Sequence, residues 1–235
     1  MSSCPIKEKI EKYQSQYFSQ LKQDVAALVV SNFKKHGFFV EFGACDGVHL
    51  SNTLLLETRY EWKGILSEPS IKFNSELARN RSATVDKRAV YSVSGQILNF
   101  KETDSQLDLS GLASSLPNDN HVKKRRNGTV YEVETVSLSD LLRDHAAPFE
   151  IDFLSIDTEG TEYEIIRNFN FQEYQINFIT IEHNYIEDYR NKIQNYLEQN
   201  DFTRILTSMS EWDDWYISNK VKDKIYEKDI GNSSY

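Results

Sequence analysis

The sequence predicts a doubly wound α/β fold, in which a mostly parallel sheet carries helices on both faces. Short runs of β-branched and aromatic residues alternate with segments of helical periodicity, and this alternation is typical of such sheets. Two runs, at residues 151–156 and 178–182, are almost continuously apolar, as strands buried on both faces are. The chain has 235 residues, which suits one sizeable domain.

The N-terminal segment precedes the alternating pattern. Residues 6–35 are predicted to be helical, because apolar residues recur there at helical spacing before a glycine ends the segment. We therefore expect a helical extension over residues 1–36 and a single domain over residues 37–235.

The strands and helices of that domain follow in turn, the helices at 51–58 and 70–79 each beginning at a serine that can act as the N-cap. The predicted strands cover residues 38–42, 64–67, 83–90, 151–156, 178–182, 203–209 and 214–218. The predicted helices cover residues 51–58, 70–79, 161–168 and 189–199.

Between residues 93 and 135 the alternation breaks. Residues 96–100 and 129–135 have the composition of two strands of an added hairpin, and a polar loop insertion is expected over about 101–130. Loops of that length in a compact domain are usually functional or disordered, and we predict a mobile lid over the substrate. The basic run of this loop, Lys-Lys-Arg-Arg at 123–126, is either a solvated loop or an anion-binding element that favours an anionic substrate.

Two glycines and one acid indicate a nucleoside site. Gly43 and Gly47 follow the first predicted strand, and Glu68 ends the second. In an open α/β sheet, glycines let the backbone approach a ligand, and an acid at the tip of the next strand accepts hydrogen bonds from ribose hydroxyls. A tight strand-to-helix connection is the alternative explanation. The dinucleotide and phosphate-loop motifs are absent, so the pattern suits S-adenosylmethionine better than NAD or ATP.

A second group of polar residues follows the central strands. Asp157 and Glu159 come after one strand, and Glu182 and His183 come at the end of the next. Strand-end polar residues and helix caps are one explanation. As a functional cluster, Asp157, Glu159 and Glu182 could bind a divalent cation such as Mg²⁺ or Mn²⁺. Alternatively, His183 acts as general base beside a carboxylate, which gives His183, Asp157 and Glu182 as the predicted catalytic residues.

Bulk properties exclude several classes of partner. There are 27 Lys and Arg residues against 36 Asp and Glu residues, and the resulting net charge of −9 argues against non-specific binding to nucleic acid or anionic membranes. No apolar stretch is long enough to span a bilayer, and the N-terminus has no apolar signal core. Cys4 and Cys45 are not expected to form a disulfide. We expect a cytoplasmic protein that acts on a small molecule or glycan.

Several segments together resemble FkbM-type S-adenosylmethionine-dependent methyltransferases. They occur in that family's order and span most of the chain from residue 19 to residue 185, with a further similar segment near the C-terminus. The matching segments are SQLKQD (19–24), FFVEFGACDGVHLSNTLLLE (38–57), WKGILSEPS (62–70), TVSLSDLL (135–142), IDFLSIDTEGTEYEIIRNF (151–169), ITIEHNY (179–185) and DDWYIS (213–218).

The resemblance implies a class I methyltransferase fold, with seven strands of which the last is antiparallel. It also implies a methyl-donor pocket formed by the turn at 41–47, by Glu68 and by Asp157. We further expect backbone groups after residue 87 to border the adenine. The predicted cofactor-binding residues are Glu41, Gly43, Ala44, Asp46, Gly47, Glu68, Pro69, Arg88, Ala89 and Asp157.

The function expected from the resemblance is O-methylation of a sugar, a glycan or a related metabolite, with S-adenosylmethionine as the donor. A different outcome on the same sheet is a nucleoside-binding module or a nucleotide-sugar enzyme without methyl transfer.

Overall fold

The structure is a computed structural model that describes residues 5–13 and 17–231. Cys4 lies outside the described residues, so the expectation about its disulfide is not addressed. The described helices are α1 (Pro5–Lys12), α2 (Gln23–Val30), α3 (Leu54–Tyr60), α4 (Ile71–Asn80), α5 (Leu138–Asp144), α6 (Glu162–Arg167), α7 (Glu187–Gln199) and α8 (Asn219–Gly231), with a 3-10 helix at Leu107–Leu109. The described strands are β1 (Phe38–Phe42), β2 (Lys63–Ser67), β3 (Thr84–Asp86), β4 (Ala89–Tyr91), β5 (Ile97–Thr103), β6 (Gly111–Leu112), β7 (Gly128–Ser137), β8 (Glu150–Ile151), β9 (Phe153–Ile156), β10 (Gln175–Ile176), β11 (Phe178–Glu182), β12 (Phe202–Ile205) and β13 (Asp213–Ser218).

Seven strands form the central sheet in the order β12-β13-β11-β9-β1-β2-β3. Its strands are parallel, except that β13 is antiparallel to both of its neighbours, β11 and β12. The order reverses beside β1, so the carboxyl ends of β1 and β9 diverge into a crevice where ligands bind in open α/β sheets. This topology confirms the predicted α/β fold of the class I methyltransferase type.

Both faces of the sheet are covered, because successive residues of each strand point to opposite sides. On one face Phe39, Phe153 and Phe178 pack with α1 and α2, so the N-terminal helices share a core with the sheet. On the other face Val40 and Leu154 pack among residues of α5, α6 and α7.

The insertion is a second sheet of four strands, in the order β4-β7-β5-β6. Its centre is an antiparallel hairpin of β5 and β7, which pairs residue 97 with residue 134 and residue 103 with residue 128. The hairpin predicted for this region is therefore present, with both strands longer than predicted. The segment between them folds back through the 3-10 helix and through β6, which pairs with β5.

The N-terminal helical prediction was too long. Residues 6–35 contain two helices, α1 and α2, and residues 17–22 before the second are not helical. The second begins after Lys22, whose φ of 70° is left-handed and cannot continue a helix from the preceding residues. The Asp24 carboxylate accepts hydrogen bonds from the Phe18 N–H at 2.8 Å and the Ser19 hydroxyl at 2.6 Å, which fixes this entry to α2.

The predicted strand at 83–90 is also wrong, because the chain changes sheets within it. β3 belongs to the central sheet, and β4 pairs with β7 of the insertion. The Asp86 carboxylate accepts from the Arg88 N–H at 2.8 Å, and this tight turn separates the two strands.

Smaller differences occur elsewhere. The predicted strand at 203–209 ends at Ile205, because Leu206 adopts a left-handed φ of 55°. Helices α5 and α8 were not predicted. Over residues 5–13 and 17–231, the structure contains no helix with the length and apolar character needed to cross a membrane.

A buried arginine ties the turn after β1 to the end of α4. The Arg81 side chain is fully buried and its Nε donates to Glu57 at 2.6 Å. Its other nitrogens donate to the Gly47 carbonyl oxygen and to the hydroxyls of Ser51 and Thr53. One guanidinium therefore holds three points of the loop that leads into α3 and one residue, Glu57, within that helix.

We expect Arg81→Met to lower the free energy of unfolding by about 3–5 kcal/mol, because it leaves the Glu57 carboxylate without its buried partner. Urea unfolding followed by circular dichroism measures this. Arg79→Met is the control, because the Arg79 side chain is 71% exposed and faces Glu76 at the surface. It should change stability by no more than about 0.5 kcal/mol. Equal effects of the two substitutions would contradict the structural role of Arg81.

Candidate active site

A cavity of about 420 Å³ lies at the carboxyl ends of β1, β2, β9 and β11. Segments that follow these four strands form its floor, and the insertion contributes residues on another side. The cavity therefore occupies the crevice that the strand order creates.

The turn after β1 depends on its two glycines. Gly43 has a φ of 74°, and a Cβ there would overlap the backbone carbonyl oxygen of Asp157, so only glycine lets this turn approach the end of β9. Gly47 has a φ of 79°, and a Cβ there would meet Leu77 and Arg81 at 2.6 Å. Gly43 lines the cavity, whereas Gly47 packs the turn against α4.

Glu41 is buried at the end of β1 and organises the next segment. Its carboxylate accepts from the Asn52 N–H at 2.7 Å, from the Ser51 hydroxyl at 3.2 Å and from the Thr53 hydroxyl. Asp46 acts similarly within its own turn, where it accepts from the N–H groups of Val48 and His49 at 2.8 Å. Both acids border the cavity while shaping its loops.

Glu68 lies at the end of β2, is 5% exposed and lines the cavity. One carboxylate oxygen accepts from the Cys45 N–H at 2.9 Å, and the other accepts from the Ser70 N–H at 2.8 Å. Burial raises the pKa of Glu68 to about 7, despite these two hydrogen bonds that favour the carboxylate. Each oxygen retains a lone pair for a ligand hydroxyl.

Asp157, Glu159 and Glu182 come together at the ends of β9 and β11. One carboxyl oxygen from each lies within 4.8 Å of the others. Burial raises the pKa of Asp157 to about 7. Burial first, and then the neighbouring Asp157 and Glu159 carboxylates, raise the pKa of Glu182 well above its ordinary value. Because the Asp157 and Glu182 carboxyl groups lie close together and two adjacent carboxylates repel each other, the raised pKa values of the pair favour one proton shared between them.

Glu159 has a different partner, which comes from the insertion. Its carboxylate forms an ion pair with Arg125, and Arg125 also pairs with Asp119 at 2.6 and 2.9 Å. The Arg125 residue is 3% exposed. Burial and the Asp157 carboxylate raise the pKa of Glu159, whereas the Arg125 guanidinium lowers it. One residue of the basic run is therefore committed to the acidic cluster, while Lys123, Lys124 and Arg126 are exposed.

The loop after β9 is held by an acid that the sequence analysis did not single out. The buried carboxylate of Glu162 accepts from the Thr158 N–H at 2.9 Å and from the Gly160 N–H at 3.0 Å. Its other oxygen accepts from the Tyr189 hydroxyl at 2.9 Å. Glu162 therefore fixes the backbone on both sides of Glu159.

His183 does not reach the cavity. Its side chain is 1% exposed, and Nδ1 accepts from the Tyr185 N–H at 3.1 Å. Nε2 lies 3.7 Å from Asp214, whose carboxylate is held by Arg190 and Arg204. Because successive strand residues point to opposite faces, Glu182 faces the cavity and His183 points away from it. In this structure His183 is a buried support for the turn after β11, and its predicted role as base has no geometric basis.

The predicted site residues thus divide into two groups. Residues that line the cavity are Glu41, Gly43, Ala44, Asp46, Glu68, Pro69, Ala89, Asp157, Glu159 and Glu182. Residues that do not are Gly47, Arg88 and His183. The Arg88 guanidinium is turned toward Asp86 at 2.6 Å and Asp144 at 2.9 Å.

Several lining residues were missed. The insertion supplies residues 106–110, Leu112 and residues 119–121, and the N-terminal segment supplies Gln20. Asn184, Tyr185 and Trp212 line the side near β11. The sequence had indicated part of this lining, because residues 106–121 fall in the insertion predicted to cover the acceptor, and Gln20, Asn184 and Tyr185 fall in segments that resemble the FkbM family. Trp212 had no such signal.

The lining is acidic. Eight Asp or Glu residues border the cavity, and among the lining residues in the described chain there is no Lys or Arg. Carboxylate and amide oxygens accept hydrogen bonds from hydroxyl and amine groups, and a carboxylate-lined cavity repels anions.

One family of known proteins matches most of the sequence. A family model described as the methyltransferase FkbM domain matches residues 41–216, which is well over half of the chain. A solved structure described as a fibrillarin/Nop5p complex is 11% identical, with 85% of this chain and 80% of that chain covered and a TM-score of 0.41. No curated protein matches the sequence.

We expect the ligand-free protein to lose stability as the pH rises from 5 to 8. The folded-state pKa values of Glu68 and Asp157, both about 7, and of Asp213, about 6, lie above the ordinary carboxyl values. In this window the folded state therefore binds more protons than the unfolded state, and each proton lost on raising the pH costs stability. The contribution of Glu68 alone is on the order of 3 kcal/mol.

Urea unfolding at several pH values measures the slope. Glu68→Gln should flatten it, whereas Glu61→Gln should not, because the Glu61 side chain is 61% exposed. A wild-type protein that gains stability over this range would contradict the burial of these acids.

Proposed function

Because the chain belongs to the FkbM methyltransferase family, we propose that it transfers a methyl group from S-adenosylmethionine to a hydroxyl of a neutral sugar, glycan or related polyhydroxylated metabolite. The observation that supports donor binding is Glu68, a buried carboxylate at the tip of β2 that lines the cavity and is hydrogen-bonded to the glycine turn. The acidic lining of the cavity supports a neutral acceptor, because carboxylates repel anions.

The cavity fits the donor in three parts. Glu68 accepts hydrogen bonds from the ribose hydroxyls. Apolar residues at one end, including Pro69, Phe73 and Val90, pack against the adenine. The turn at 41–47 receives the methionine end, and Asp157 borders this part of the cavity. When bound, S-adenosylmethionine supplies an electrophilic methyl group on a positively charged sulfur.

The acceptor is not anionic in this proposal. Arg125 is occupied by Asp119 and Glu159, and the other basic residues of the run are exposed outside the lining. This replaces the expectation that the run at 123–126 binds an anionic acceptor. Sugar hydroxyls instead donate to the carboxylates and to Asn52, Asn120 and Asn184. The net charge of −9 also disfavours nucleic acid as the acceptor.

Removal of the hydroxyl proton is assigned to the Asp157–Glu182 pair. Methyl transfer requires the acceptor oxygen to lie in line with the leaving sulfur and to lose its proton. Asp157 accepts that proton, because its pKa of about 7 lies near the pH at which a general base works best. In the resting state the pair holds one shared proton, which leaves one carboxylate free to accept another, and Glu182 accepts a hydrogen bond from the Asn184 side-chain amide at 2.8 Å.

A divalent cation at Asp157, Glu159 and Glu182 is the other means of acidifying a hydroxyl. The three oxygens are close enough for one ion. However, Arg125 pairs with Glu159 as well as with Asp119, and Glu182 shares a proton with Asp157, so each of the three carboxyl groups already has a partner without a metal. We therefore favour the carboxyl pair.

Replacing Glu68 with Ala should weaken binding of S-adenosylhomocysteine at least tenfold, because hydrogen bonds to a charged acceptor contribute about 1.5–3 kcal/mol each. Isothermal titration calorimetry measures the affinity, with Glu61→Ala as the exposed control. NAD should bind neither the wild-type protein nor the variants. Tighter binding of NAD than of S-adenosylhomocysteine would favour a nucleotide-sugar or NAD-linked enzyme instead.

Turnover separates an enzyme from a nucleoside-binding module. The wild-type protein and the donor are incubated with paired neutral, uronic-acid and phosphorylated forms of the same sugars, and mass spectrometry detects the addition of one methyl group. We expect transfer to neutral sugars only, and Asp157→Asn should reduce turnover roughly 10²–10⁴-fold. Donor binding without transfer to any sugar would favour a binding module.

Chelation tests the metal alternative. We expect EDTA to leave both turnover and donor affinity unchanged, because Arg125 and a shared proton already partner the three carboxyl groups of the cluster. Loss of turnover on EDTA treatment, with recovery on adding Mg²⁺ or Mn²⁺, would replace the carboxyl pair with a metal-assisted mechanism.

A further inference from the structure

The β5–β7 hairpin reaches the donor side of the cavity as well as the acceptor side. Phe100 and Glu102 lie on the same face of β5, and Tyr131 lies opposite Phe100 on β7. The Phe100 ring lines the cavity. Beside it, Glu102 and Tyr131 extend to the first residues of α4, which follow directly after Glu68 and Pro69.

Glu102 is a buried carboxylate with an unusual set of partners. It is 3% exposed, and one oxygen accepts from the Ser70 hydroxyl at 2.6 Å, the Lys72 N–H at 3.2 Å and the Tyr131 hydroxyl at 3.1 Å. The other oxygen lies 3.3 Å from the Lys72 ammonium. Although burial acts to raise it, these hydrogen bonds hold the pKa of Glu102 below its ordinary value. The hairpin therefore supplies a charged cap to the start of α4.

Ser70 connects this cap to the ribose acid. Its hydroxyl donates to Glu102, while its backbone N–H donates to Glu68 at 2.8 Å. Tyr131 holds the next residue, because its hydroxyl accepts from the Ile71 N–H at 3.0 Å. Without these contacts, three N–H or hydroxyl donors at the start of α4 lose their acceptors, and the backbone that orients the Glu68 carboxylate loses its support.

We propose that Glu102 and Tyr131 are positioning residues for the methyl donor, which hold the Glu68 carboxylate in register with the ribose hydroxyls through Ser70 and Ile71. This inference rests on the donor binding proposed above and adds residues of the insertion to it. The insertion is then a required part of the donor site as well as a boundary of the acceptor site.

Calorimetry with two ligands tests the proposal without an acceptor. S-adenosylhomocysteine carries the ribose hydroxyls, and its 2′,3′-dideoxy analogue lacks them. We expect Glu102→Ala to weaken the first ligand about tenfold and Tyr131→Phe to weaken it about threefold. Both variants should bind the dideoxy analogue within twofold of wild type, because Glu68 makes no hydrogen bond to it. Glu132→Ala, an exposed neighbour of Tyr131, is the control and should change neither affinity.

A double variant adds a second criterion. Glu68→Ala combined with Glu102→Ala should bind S-adenosylhomocysteine no more weakly than Glu68→Ala alone, because the two residues act through one carboxylate. Circular dichroism establishes that each variant is folded, and Tyr131→Phe carries the test if Glu102→Ala does not fold.

Three results would overturn the proposal. Equal losses for both ligands would mean general damage to the cavity, and unchanged affinity for S-adenosylhomocysteine would mean that the contacts do not act on Glu68. Failure of the wild-type protein to bind S-adenosylhomocysteine would refute the proposed function itself, and it is recognised before any variant is examined.

Discussion

The burial of carboxylates at the carboxyl edge of the sheet is the constraint on which the rest of the site depends. A buried carboxylate must find hydrogen-bond donors, because its desolvation is otherwise too costly. Here the donors are mostly backbone N–H groups of the loops that surround the cavity. Glu41 fixes the segment at 51–53, Glu162 fixes the loop after β9, and Glu68 joins the turn after β1 to the start of α4. The loops therefore take their shapes from the acids beneath them.

The main strands could be predicted from the sequence, whereas the directions of some side chains in the site could not. Strands β1, β9 and β11 were predicted within a few residues, because short and almost continuous apolar runs are typical of strands buried on both faces of a sheet. The position of Glu68 at a strand end beside the cavity could be predicted, because an acid after a short apolar run is a local pattern. The direction in which a strand-end side chain points cannot be predicted from the residues next to it in sequence. Glu182 and His183 are neighbours in sequence, and only the register of β11 with β9 and β13 decides which one faces the cavity.

The surroundings of one residue in the basic run could not be predicted from the sequence. The basic run at 123–126 is typical of a solvated or anion-binding loop, and three of its residues are exposed. Arg125 is buried because Asp119 and Glu159, which are distant from each other in sequence, surround it. A pairing of that kind depends on how the insertion folds over β9, and no periodicity or spacing in the sequence encodes it. Its effect is to balance part of the acidic cluster from the opposite wall.

The insertion is one uninterrupted stretch of chain, and this has a consequence for recombination among related sequences. An exchange of the whole stretch would replace the wall facing the acceptor and would also remove Glu102 and Tyr131 from the start of α4. An exchange limited to residues 104–127 would leave both strands of the hairpin in place. Grafts with boundaries inside the hairpin should therefore yield chimeras that keep the host's cofactor affinity, and crossovers at the base of the hairpin should not.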